Sequence, residues 1–296
     1  MIVTATHTTT YLYGQPVSIC HTEVHLTPRS GPNQRVVSHE LEVRPTPAYT
    51  LTRTDYFGNE FTYFFINEPH QTLTVTSLSQ VDLHPEEPPH EGLTPPWEKV
   101  RDQVLDQGPE TDRKPEHEEA FRALEFTFSS PFVKIAPVFA EYAAPSFAAG
   151  RPIAEAALDL CHRIYTEFRY DPRATTISTP VDEVLKSRRG VCQDFAHLMI
   201  SCVRSLGLPA RYVSGYLRSG KNTVGHEASH AWCSVYCPGF GWLDYDPTND
   251  VMPQNNHLTI AHGRDYSDVA PVNGVAIGGG EQMINVAVEV LPRSTE

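Results

Sequence analysis

The stretch from Ser187 to Asp250 constrains this chain more than any other. It contains a cysteine, a histidine and an aspartate, each at the end of a different regular pattern. Cys192 follows Gly190-Val191 and opens an apolar series of helical period: Val191, Phe195, Leu198, Met199, Cys202, Val203 and Leu206. Steps of four, three and one put these residues on one face. Gly207 then marks a stop in a left-handed turn. Cys192 is thereby placed in the first helical turn, where unpaired N–H groups and the positive end of the helix dipole favour a thiolate. The plain alternative is a buried, inert cysteine.

His230 and Asp246 turn the balance. Ser229 to Tyr236 alternates as a strand does. Cys237-Pro238-Gly239-Phe240-Gly241 reads as a turn, and Trp242 to Asp246 as a second strand stopped by Pro247. A hairpin centred on Pro238 sets His230 directly opposite Asp246, with Cβ atoms about 5 Å apart. The carboxylate then accepts from one imidazole nitrogen, leaves the other for the thiol, and stabilises the imidazolium once the proton has moved. A one-residue shift of the turn would bring Asp244 forward as the reserve. A turn carboxylate binding local amides before proline is the plainer reading of Asp246.

His226-Glu227-Ala228-Ser229-His230 also fits the H-E-x-x-H pattern of zinc hydrolases, which needs a helix to aim both imidazoles at one ion. Gly225 before it and the strand alternation after it leave a helix little room. No glutamate recurs until Glu281, so His257 or His262 would have to serve as third ligand. With fourteen histidines in the chain a chance match is easy. The expectation is no metal and no cofactor, with a zinc hydrolase as an alternative.

Three blocks, RRGVCQDFAHLMISCVRSLGLPARYVSGYL, SHAWCSVYCPGFGW and DPTND, resemble the transglutaminase-like superfamily. STPVDEVL (178–185) and GRDYSDVAPVNGVAIGGG (263–280) resemble its bacterial branch, as does the β-rich start of the chain. The resemblance implies an α+β fold with a papain-like core behind an N-terminal β-sandwich. It implies a catalytic Cys192, His230 and Asp246, the same three residues that the local patterns select. It also implies a thiol-dependent protease or amidase, with hydrolysis favoured over amine transfer, acting on a peptide or protein substrate. Related bacterial proteins suggest a functional link to peptide-ligase-like proteins. A catalytically silent peptide-binding module is the remaining alternative.

At 296 residues the chain has room for two domains. Residues 1–83 read as a β-sandwich and 84–150 as a proline-rich connector with short helices. Residues 151–256 read as the catalytic core. Residues 257–296 read as a loop and a strand (Asn285 to Val290) that returns to the N-terminal sheet, with 277–280 as loop. The net charge of −13 argues against nucleic acid or an anionic membrane as partner. The first residues lack a basic segment and a long apolar core, so no signal peptide is expected. Six cysteines without framework spacing suit a reducing, cytoplasmic setting. His162 reads as a surface histidine, Arg211 as a structural hydrogen-bond donor, and 219–224 as a loop beside the site. Tyr170 and Gln193 are open candidates for an oxyanion donor, and the oligomeric state is not legible.

Overall fold

The computed structural model describes residues 1–84, 87–106, 115–218 and 228–293, with backbone alone at 115–118. It begins with a strand far longer than the sequence suggests. This strand, β1 (Ile2–Val24), buries alternate residues from Val3 to Thr9, as period-two side chains on a half-covered sheet must. β2 (Gln34–Arg44), β3 (Tyr49–Thr54), β4 (Glu60–Ile66) and β5 (His70–Leu83) follow. The first half of β1 pairs with β5, the second half with β4. Pairing with β5 lapses between Leu12 and Val17, across Gly14-Gln15-Pro16.

The helices come next: α1 (Trp97–Leu105), α2 (Pro115–Leu124), α3 (Pro137–Ala143) and α4 (Ile153–Glu167). A two-residue strand β6 (Arg169–Tyr170) precedes α5 (Val181–Ser187), β7 (Arg189–Gly190) and α6 (Cys192–Ser205). A second sheet is built from β8 (Ala210–Leu217), β9 (His230–Cys237), β10 (Gly241–Tyr245) and β11 (His257–Gly263), in the order β10-β9-β8-β11.

The chain closes with β12 (Val272–Gly278) and β13 (Gln282–Pro292), which flank the second and first halves of β1 respectively. The N-terminal region is therefore one curled seven-stranded sheet that includes both C-terminal strands. The expected loop at 277–280 is largely strand end and turn. At Gly278, φ is 100° and an added Cβ would stand 2.6 Å from the Pro16 carbonyl oxygen, so only glycine fits beside the bend of β1.

α6 packs against β8, β9, α3, α4 and α5. All its residues but Gln193 and Ser205 are buried, including Asp194, His197, Ser201 and Arg204. The single apolar face read from sequence understates this. A helix enclosed on every side must pair its charged groups. Arg204 does so with the Ala210, Phe128 and Arg264 carbonyls at 2.7–2.9 Å. One hydrophobic core joins α6 to β8 and β9 and runs on to Val3, Ala5, Val81 and Val290 of the curled sheet.

Two side-chain amides also tie the sheets together. Gln34 accepts from the Thr259 N–H at 2.8 Å and donates to the Thr259 carbonyl at 2.7 Å. Asn59 accepts from the His262 N–H at 3.0 Å and donates to its carbonyl at 2.9 Å. Each amide mimics a neighbouring strand and covers the outer edge of β11.

Candidate functional site

Cys192 is the first residue of α6, as its spacing predicts. Asp194 holds this turn: its Oδ2 accepts the Val191 N–H at 2.8 Å and the Thr175 hydroxyl at 2.6 Å. Gly190 leaves room for that carboxylate, since a Cβ there would stand 2.7 Å from Oδ2 and 2.8 Å from the Asp194 Cβ. Cys192 is nearly buried, at 9 % exposure, and keeps an opening to solvent that Cys161, Cys202, Cys233 and Cys237, at 0 %, lack. All six cysteines are free. Burial pushes up the thiols of Cys20, Cys161, Cys202, Cys233 and Cys237. Tyr170 lies across β6 and β7 from Gly190, and burial, with Cys192 and Asp194 nearby, raises its phenol to about 12.

His230 opens β9, opposite Gly215 of β8. Its Nε2 lies 2.8 Å from Asp246 Oδ2, and both side chains are wholly buried. Cys192 stands near the same ring and, with Asp246, acts to raise its pKa. Nδ1 is the nitrogen that Asp246 leaves over, and it has no regular hydrogen-bond partner among the described residues. Burial alone would strip the proton from His230. The Asp246 carboxylate and Cys192 outweigh it and push the imidazole up to about 10. Burial likewise opposes ionisation of Asp246, yet His230 and His257 hold it well below the usual carboxylate range.

The hairpin reaches this contact by a register other than the expected one. Tyr245 pairs with Cys233 and Gly241 with Cys237, so the turn centres on Gly239 rather than Pro238. Gly239 and Gly241 supply the positive φ values, 81° and 74°, that a three-residue loop needs. The two-residue shift keeps His230 and Asp246 on one face but makes them diagonal, not opposite. Asp244, the reserve, pairs with Ser234 and accepts from Trp232 Nε1 at 3.1 Å. Asp246 also fills its plainer role, because Oδ1 accepts the Thr248 N–H at 2.9 Å.

The sequence reading missed the third histidine, weighing His257 only as a metal ligand. It opens β11, and its Nε2 lies 3.0 Å from the same Asp246 Oδ2. Asn249 Nδ2 donates to that oxygen at 2.8 Å. His230, Asp246 and His257 form a group with metal-ligand chemistry, but both N···O separations are hydrogen-bond lengths. Ligands about 2.1 Å from a tetrahedral zinc ion stand roughly 3.4 Å apart. For the HEASH motif, His230 lies on a strand rather than a helix; His226 and Glu227 fall outside the described residues, as does the whole 219–224 loop. His262, the other proposed ligand, is held in β11 by Asn59. Arg211 lies 4.3 Å over the Trp242 ring, and its Nε has no hydrogen-bond partner among the described residues, so stacking is the contact it makes there. His162 is a surface histidine, 2.7 Å from Asp250. No described helix is long and apolar enough to cross a membrane.

Comparison with known proteins agrees with this architecture. Residues 3–82 match the bacterial transglutaminase-like N-terminal region, and residues 141–247 match the transglutaminase-like superfamily. An uncharacterized protein of Mycobacterium tuberculosis is 43 % identical over 97 % of this chain and 91 % of its own length. A protein-glutamine gamma-glutamyltransferase of Pseudomonas aeruginosa is 32 % identical over 38 % of this chain and 19 % of its own. A solved structure of a candidate cysteine protease from Cytophaga hutchinsonii superposes with a TM-score of 0.73 at 23 % identity, covering all of this chain and 92 % of that one. The α+β fold, the matched segments and the full-length relatives make this chain a member of the transglutaminase-like superfamily, in the branch with the bacterial N-terminal region.

Proposed function

We propose that the protein is a thiol-dependent amide hydrolase with Cys192 as nucleophile, His230 as acid and base, and Asp246 as the group that orients and charges the imidazole. One observation carries the reading: a buried His230 with Asp246 at 2.8 Å on Nε2 and Cys192 near the same ring. Cys192 Sγ attacks the carbonyl carbon of a peptide or glutamine side-chain amide. The backbone N–H of Cys192, left unpaired by its place in the first turn, faces the oxyanion. The C–N bond breaks as His230 protonates the departing amine. Water, deprotonated by His230, then attacks the thioester, releases the acid and restores the thiol. An amine in place of water gives transfer, and the likeness to the Pseudomonas aeruginosa glutamyltransferase favours that as the second reading.

The test is iodoacetamide labelling across pH with the labelled cysteine mapped, in the parent, Cys192→Ala, His230→Ala and a chelator-treated sample. Cys192 is expected to label far faster than the other five, to slow in His230→Ala and to ignore the chelator. Labelling no faster than an ordinary thiol of pKa about 8.5 would sink the nucleophile reading. A chelator-sensitive activity would move zinc chemistry forward, and no turnover on any amide, with or without an added amine, would favour a binding module.

A further inference from the structure

Asp246 Oδ2 is shared. It takes His230 Nε2 at 2.8 Å, His257 Nε2 at 3.0 Å and Asn249 Nδ2 at 2.8 Å. The first two contacts join three elements that are distant in the chain: β9, the segment after β10, and β11. An ionised carboxylate only accepts, so His257 must present Nε2–H to it. His257 Nδ1 is buried without a hydrogen-bond partner among the described residues, so this ring makes its described hydrogen bond to Asp246 alone. The ring is fixed in turn by Trp232, edge-on at 5.2 Å and 83°, and by the pairing of His257 with Leu217 of β8. A ring packed against Trp232, on a backbone held in β11, and with its described hydrogen bond on one carboxylate oxygen sets where that oxygen sits.

We propose that His257 is a positioning residue for the reaction: through its Nε2–H it fixes Asp246 Oδ2 in place and in its ionised form, so that Asp246 can orient and hold the imidazolium of His230. This rests on the reading of Cys192 and His230 given above. It extends the chain of contacts to Cys192–His230–Asp246–His257. His257 touches no reacting atom and acts only through Asp246.

Two measurements test it. In the parent protein, nitrogen-15 spectra of the histidine rings should show Nε2–H, not Nδ1–H, for His257. An Nδ1–H tautomer overturns the proposal without any variant. In the second, Cys192 alkylation at neutral pH is compared in His257→Phe, which keeps a ring against Trp232 but cannot donate, and His257→Gln, which donates. His257→Phe is expected to slow alkylation about tenfold, the weight of one hydrogen bond to a charged group, and to shift its pH profile. His257→Gln should stay within about threefold of the parent. A parental rate in His257→Phe, or equal losses in both variants, overturns the positioning role. His230→Ala runs alongside: if it labels like the parent, the reading of His230 as base fails and this proposal falls with it. If His230→Ala is slow and His257→Phe is not, this proposal fails alone.

Discussion

Two buried histidines, one in each sheet, are shifted in opposite directions. In the four-stranded sheet His230 lies beside an ionised carboxylate and is pushed up to about 10. In the curled sheet His7 is just as hidden but has the Thr9 hydroxyl as its partner, and burial lowers it to about 4. Burial alone expels charge. Only a partner of opposite charge, itself held by further donors, reverses the sign. His230 belongs to a linked set of buried groups around the Asp246 carboxylate, whereas His7 is buried as a neutral ring.

Asp246→Asn should break this contrast most. It leaves His230 buried without its counter-charge, and the loss is expected to reach about 3–5 kcal/mol in urea unfolding. Alkylation of Cys192 should fall with it, because the amide no longer selects the tautomer. The parent should also show an alkaline signature. A histidine raised from 6.5 to about 10 contributes stability that is complete below pH 6.5 and disappears as pH rises through about 10. Asp246→Asn should remove that loss, and an unchanged alkaline slope would contradict the pairing.

His7 gives the opposite slope. Its folded pKa is depressed, so its contribution is complete above pH 6.5 and declines as pH falls toward 4, by up to about 3 kcal/mol. His7→Leu should flatten the acid limb of stability against pH in that window. Urea midpoints between pH 4 and 7 decide this.

A smaller effect is expected where the sheets meet. Asn59→Leu deletes two hydrogen bonds to His262 and exposes the edge of β11, at a cost of roughly 1–3 kcal/mol. If the curled sheet also supports His257 through β11, Cys192 labelling will slow slightly as well; a stability loss with unchanged labelling confines the sheet to packing. At the small end, His162→Ala removes an exposed pair with Asp250 and should leave the melting temperature unmoved.

Much of the candidate site was legible because each member has a local signal. Cys192 follows a glycine and opens a helical period. His230 starts an alternating strand. Asp246 ends one before proline. The hairpin register was less legible, since two glycines compete with a proline to centre the turn and only the positive φ values at Gly239 and Gly241 decide between them. Nothing local to Arg211 announces the Trp242 ring beneath it. The curled sheet was read as short strands of a sandwich. The great length of β1 is hidden by Gly14-Gln15-Pro16, which reads as a break but serves as a bend.

The sequence by itself determined which residue types stand at the ends of which elements, and that much is set by backbone preference and periodicity over a few residues. The tertiary structure alone decided what Asp246 holds. His257 lies eleven positions further on, in another strand, with an ordinary strand pattern around it. A carboxylate oxygen can accept from several donors at once, and those donors reach it from whatever segments the packing of the sheet brings close, not from any spacing along the chain.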